Sequence, residues 1–101
     1  MVTFERHIQF EFWLKNLRDA KGKARIAARL QSAEFGNFGD CRFIREGVSE
    51  MRIHYGPGYR IYFMRRGSTI YLLLGGGDKS TQDRDIERAL EAARDVKDTE
   101  S

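Results

Sequence analysis

The 101-residue chain contains a single cysteine, Cys41, so no internal disulfide can form, and that usage fits a reducing compartment. It has one proline, Pro57, and no low-complexity tract, which leaves no room for a linker or a disordered arm. Its longest apolar run, Ile70 to Leu74, is far short of the roughly 20 residues that cross a bilayer. That run fits a buried strand, and no membrane association is expected. The opening residues, Met1 to Arg6, lack the apolar stretch of a signal peptide, so a cytoplasmic location is expected. Two histidines, His7 and His54, with one cysteine and no spaced ligand pairs, supply no zinc pattern, and neither metal nor cofactor is expected.

What is present describes one globular domain spanning 1–101. Hydrophobic residues make up 41% and charged residues 33%, enough for a single modest core. The net charge of +3 is unevenly spread. Residues 1–78 carry 13 Lys/Arg against 8 Asp/Glu, whereas residues 79–101 carry 5 against 7. A basic body with a mildly acidic C-terminal segment points to a polyanionic partner.

Periodicity assigns the elements. Thr3 to Arg6 reads as a short first strand. Phe10, Trp13, Leu14 and Leu17 recur at the spacing of an amphipathic helix over Ile8 to Leu17. Asp19 to Gly22 breaks it. Lys23 to Ala33 forms a second helix, with Ile26, Ala27, Leu30 and Ala33 inward and Lys23, Arg25 and Arg29 outward. The short connection predicts an antiparallel helical pair. After the turn-rich Phe35 to Asp40, strands are expected at Cys41 to Glu46, Ser49 to Tyr55, Tyr59 to Arg65 and Thr69 to Leu74. Short glycine-bearing turns between them argue for an antiparallel meander. Ser80 or Thr81 caps a last helix to about Val96, with Ile86, Ala89, Leu90 and Ala93 as its apolar stripe, and Lys97 to Ser101 frays.

The segment Met51 to Phe63 carries the most chemistry. Gly56-Pro57-Gly58 reads as a hairpin loop. Pairing symmetric about Pro57 sets His54 against Arg60, Ile53 against Ile61 and Arg52 against Tyr62. Strand alternation then puts Met51, Ile53, Tyr55, Tyr59, Ile61 and Phe63 on a core face. Arg52, His54, Arg60 and Tyr62 share the other side. Only Glu50, at the start of its strand, supplies a nearby carboxylate, so this side is expected to be an exposed anion-binding surface. A solvated sheet face is the plainer alternative.

Lys79 follows the Gly75 to Gly77 run at a helix start, where free N–H groups attract anions. The spacing is not that of a P-loop, which disfavours a nucleotide triphosphatase. Gln82 can hydrogen-bond a base or simply sit in the first helical turn. Phe10 and Trp13 read as helix core, Cys41 as a small buried hydrophobe, and His7 as a strand–helix junction.

The segments Phe12 to Asp19, Gly36 to Asp40, Gly47 to Ile53, Tyr55 to Tyr62 and Gly75 to Gln82 together resemble the RelE/ParE toxin superfamily. The resemblance is to its HigB-like addiction module killer proteins, and it spans about residues 4 to 95. It implies an α+β fold: two N-terminal helices packed on a curved four-stranded antiparallel sheet, with a C-terminal helix. It further implies a type II toxin that cuts mRNA in the ribosomal decoding site, and a cognate helix-turn-helix antitoxin as partner. Arg60 matches the arginine that the family places on the scissile phosphate. Arg52 and His54 match basic positions on the preceding strand, and Lys79 the basic residue after the last one. The family's C-terminal catalytic aromatic or histidine has no counterpart, because Asp83 to Arg88 is polar apart from Ile86.

Metal-independent cleavage by an adjacent 2′-OH needs a base, cations on the phosphorane and an acid for the leaving oxygen. Arginine stays protonated, which assigns Arg60 and Arg52 to phosphate binding. His54 and Lys79 are the proton-transfer candidates, with His54 preferred. Tyr62 and Gln82 complete the RNA contacts. The competing expectation is a ParE-type toxin that inhibits DNA gyrase without cutting nucleic acid.

Overall fold

The computed structural model describes residues 1–100, which form an α+β domain with three helices and a five-stranded mixed sheet. The elements run β1 (Thr3–Arg6), α1 (Ile8–Asn16), α2 (Ala20–Glu34), β2 (Cys41–Arg45), β3 (Val48–Ile53), β4 (Tyr59–Arg65) and β5 (Ile70–Asp78). A 3-10 turn (Lys79–Thr81) then leads into α3 (Gln82–Glu100). No helix is long and apolar enough to cross a membrane among the described residues.

The helix starts have local causes. His7 caps α1, its Nδ1 accepting from Gln9 N at 3.1 Å. Asp19 caps α2 through Gly22 N, and the Tyr59 hydroxyl donates to the same carboxylate at 2.5 Å. Gly22 is required there, since a Cβ would come within 2.6 Å of both Asp19 and Tyr59. Asp78, not Ser80 or Thr81, caps the turn into the last helix, and α3 reaches Glu100 instead of ending near Val96. Ser101 lies outside the described residues.

The expected sheet of four antiparallel strands is corrected to five in the order β1-β5-β4-β3-β2. β2 to β5 form the meander, but β1 adds in parallel to β5, Thr3 opposite Ile70 through Arg6 opposite Leu73. Hydrophobic alternation identifies a strand and is silent on a partner almost seventy positions away. The register at the hairpin also differs. Arg52 faces Arg60, Met51 faces Ile61 and Glu50 faces Tyr62, with His54 to Gly58 left as the loop. Gly56 and Gly58 have φ of 57° and 81°, and Gly58 N bonds to Tyr55 O, which closes a loop centred on Gly56. The pairing is displaced by two residues, Ile61 meeting Met51 instead of Ile53, so side-chain faces are kept while the opposing pairs change.

Both sides of the sheet are covered. α1 and α2 bury Phe10, Ile26, Leu30, Met51, Ile53, Tyr59, Ile61, Phe63 and Leu73. α3 covers the opposite face, over Val48, Tyr62, Met64, Leu72, Leu74, Ala89 and Leu90. Central β4 is therefore buried from Tyr59 through Met64, and the side expected to be an open anion surface lies partly under α3.

Candidate functional site

The polar side chains of the β3–β4 pair fall into a solvent-facing group at the end of β3 and a buried group under α3. In the first, Asp40 joins two of the expected site residues. Its Oδ1 accepts from Arg52 Nη2 at 2.8 Å and its Oδ2 lies 2.6 Å from His54 Nε2. The guanidinium of Arg52, followed by His54, holds the Asp40 carboxyl at about 2 against an ordinary 3.8. The same carboxylate raises the pKa of Arg52. Ionised Asp40 can only accept, so Nε2 carries the proton and Nδ1 of His54 remains open to solvent. The imidazole is 73% exposed.

A β-bulge between Phe43 and Arg45 sets this grouping. It shifts the β2–β3 register so that Cys41 faces Met51, which leaves Asp40 beside Arg52, with Arg52 N bonded to Asp40 O at 2.9 Å. Arg29 then fixes the loop from below. Its guanidinium donates to the carbonyls of Phe38, Asp40 and Arg52 at 2.9, 2.9 and 2.7 Å. The expected outward placement of Arg29 is thus corrected: three converging carbonyl oxygens draw it inward. Gly39, at φ 70°, leaves the space that this guanidinium occupies.

The buried group contains Glu50, Arg60, Tyr62 and Asp85, with the half-buried Gln82 at its edge. Arg60 is 9% exposed, its Nε has no hydrogen-bond partner, and among the described residues no carboxylate forms an ion pair with it. Glu50 is fully buried, with Oε2 accepting from Gln82 Nε2 at 2.7 Å and Arg42 3.6 Å from Oε1. Asp85 accepts from the Thr81 hydroxyl. The Tyr62 hydroxyl is buried without a partner, and burial, then the charges of Glu50 and Asp85, push its pKa upward. The nearby Glu50 carboxylate raises that pKa mainly through its charge, with a smaller hydrogen-bonding contribution.

The expected exposed quartet is therefore corrected. Arg52 and His54 meet at Asp40; Arg60 stands opposite Arg52 but points under α3. Tyr62 belongs to the α3 core, and Gln82 is committed to Glu50, because a buried carboxylate must be satisfied before any ligand arrives. Lys79 is exposed and forms no ion pair among the described residues. Its Cβ lies 3.5 Å from where a Cβ on Gly58 would stand, which puts it beside the hairpin loop. Asp40 and Arg29 are the positions that sequence reasoning missed. A polar residue just before a strand was the only signal for Asp40, and a bulge is needed to bring it to Arg52.

Phe10 is fully buried, as expected, whereas Cys41, expected as a small buried hydrophobe, is a half-buried thiol whose pKa burial pushes up. No cluster of three His, Cys, Asp or Glu residues able to hold a metal ion occurs among the described residues.

Fold and site together define a small α+β domain with an exposed imidazole–carboxylate–guanidinium group at one end of its sheet. No protein-family model matches the chain. Over 95 residues it is 43% identical to an uncharacterized protein of Haemophilus influenzae, covering 94% of this chain and 96% of that one. The chain belongs to the same family as that protein.

Proposed function

We propose that this protein is a RelE/ParE-superfamily toxin of the HigB-like kind, a ribosome-dependent endoribonuclease that arrests translation by cutting mRNA. The observation that carries the reading is the His54 imidazole, exposed and held at 2.6 Å by a carboxylate that also binds Arg52. A carboxylate on one ring nitrogen leaves the other as a proton acceptor, the geometry of a general base. In this reading Nδ1 of His54 takes the proton of the 2′-OH, which attacks the adjacent phosphate and yields a 2′,3′-cyclic end. Arg52 steadies the phosphorane charge, with Arg60 behind it on the neighbouring strand. Lys79, across the hairpin loop, protonates the leaving 5′-oxygen. These side chains supply proton transfer and charge stabilisation without a metal.

The proposal extends to the finer architecture, a RelE-like meander between the helical pair and α3, extended by β1. It also includes a cytoplasmic location and a helix-turn-helix antitoxin as partner. The test is primer extension on mRNA after controlled expression of wild type, His54→Ala and Arg60→Ala. New 5′ ends within translated messages, lost in His54→Ala, support the reading. Growth arrest with intact messages overturns it.

One observation favours a second reading, a ParE-type inhibitor of DNA gyrase. Arg60 is nine-tenths buried and Arg52 is already paired, so less free positive charge faces an RNA than a nuclease site uses. Induction of a DNA-damage response without mRNA loss distinguishes that outcome.

A further inference from the structure

Three cations of α2, Lys21, Arg25 and Arg29, recur at four-residue spacing, so they form one row along the helix. Arg29 is fixed at the inner end of that row, bonded to Asp40 O beside the His54 group. Arg25 is exposed, and its guanidinium lies over the Tyr55 ring, 4.8 Å from the centroid. Tyr55 belongs to the hairpin loop that carries His54, with its N–H bonded to Ile53 O at 2.9 Å. Lys21 is exposed one turn further out, and Arg18, also exposed, stands just before the Asp19 cap. The row therefore leads from the His54 group along α2 to the α1–α2 connection.

Arg18, Lys21 and Arg25 form no ion pair among the described residues. The acids near them are committed. Asp19 accepts from Gly22 N and the Tyr59 hydroxyl, and Lys21 acts on it only as a weaker influence. Asp40 holds Arg52 and His54. Glu11, on α1, stands with Lys15 and Lys23 around a separate cavity, so those two lysines are left out of the row. α2 has no acid in its first turn, so its leading cations oppose the helix dipole, and like charges one turn apart repel. That cost is offset when an anion lies along the row. The attraction comes from the side chains, since Asp19 already caps the helix end.

We propose that Arg25, Lys21 and Arg18 form a track for the sugar–phosphate backbone of an RNA strand leaving the His54 group. A polynucleotide carries its charge at regular intervals and asks for no apolar pocket. Ala24 and Ala28, exposed beside the cations, offer none. The guanidinium of Arg25, stacked on Tyr55 by one face, leaves the other free for a base. The track supplies the accessible positive charge that paired Arg52 and buried Arg60 do not. The inference rests on the nuclease reading for the choice of RNA as the polyanion, and it adds a binding surface outside that site.

The test is fluorescence anisotropy of the full chain with a labelled 2′-O-methyl oligouridylate, which cannot be cut, over a series of salt concentrations. Three phosphate contacts at about 0.7 each predict that Arg18→Gln/Lys21→Gln/Arg25→Gln flattens the slope of log K against log salt by about 2. Circular dichroism should match wild type. Arg65→Gln/Arg66→Gln, at the far end of β4 from the hairpin, should leave the slope unchanged. An equal slope in the triple variant and wild type overturns the proposal, as does absence of binding at low salt. So does an equal flattening in both variants, which reflects net charge alone, or tighter binding of oligoglutamate than of the RNA. Primer extension separates this inference from the nuclease reading. Cleavage of mRNA with a salt slope that ignores the triple substitution removes the track and keeps the nuclease; a flattened slope without cleavage does the reverse.

Discussion

Replacing Tyr62 by phenylalanine should make the protein more stable. The hydroxyl is fully buried and has no hydrogen-bond partner, although its ring fills the core beneath α3. A hydroxyl taken out of water without a partner costs roughly 1–3 kcal/mol. Phenylalanine keeps the ring and its contacts and loses only that oxygen. The void left behind and the lost attraction between the phenol and nearby charged groups reduce the gain, so the net expectation is about 1 kcal/mol. For a domain of this size that corresponds to a rise in Tm of about 4–8 °C, or a higher urea midpoint at unchanged slope. Mutations in a central strand usually destabilise, so the sign is a demanding test. The mRNA cleavage proposed for this protein should be unaffected, because Tyr62 faces the core. A loss exceeding about 1 kcal/mol would refute the reasoning by showing that the phenol donates to Glu50 after all. Retained stability with loss of the proposed cleavage would return Tyr62 to the proposed RNA contacts.

Three further outcomes follow from the same physics. Gln82→Ala leaves the buried Glu50 carboxylate short of a donor and should cost about 1.5–3 kcal/mol in urea unfolding, with Gln82→Glu at least as damaging. Arg29→Ala removes three hydrogen bonds to loop and strand carbonyls, which at about 0.5–1.5 kcal/mol each predicts a loss of about 2–4 kcal/mol, and amide exchange should quicken first at residues 37–41. Asp40 has a folded pKa of about 2 against 3.8, so its contribution to stability is present above 3.8 and disappears as pH falls toward 2. Asp40→Asn should flatten this part of the acid-unfolding profile, measured by urea midpoints across that range, and should also abolish any His54-dependent cleavage.

Periodic spacing placed most of each helical stripe, because a helix buries one face whatever it packs against, although Ala27, expected inward, is exposed. Phe10 and Leu30 were readable as core for that reason. Alternation along Met51 to Phe63 likewise separated Met51, Ile53 and Ile61 from Arg52, Arg60 and Tyr62, and the separation survived a change in register because the pairing shifted by two residues, a full period of the strand. What alternation could not say was what lies on the second face. α3 closes over it, and that closure turns Tyr62 from a surface group into part of the interior, commits the half-buried Gln82 to Glu50 and hides most of Arg60. Such covering is a relation between elements far apart in the chain, and no local pattern encodes it.

The chain by itself determined its class of fold, the elements from α1 to β5 within a few residues, and the presence of Arg52 and His54 at one end of a hairpin. Only the tertiary structure decided that a bulge in β2 brings Asp40 to both of them, that Arg29 holds that loop, and that β1 pairs in parallel with the first half of β5. The division has a physical cause. Local periodicity reflects which face is apolar, whereas register shifts and strand partners depend on the balance of many backbone hydrogen bonds made at once across the sheet.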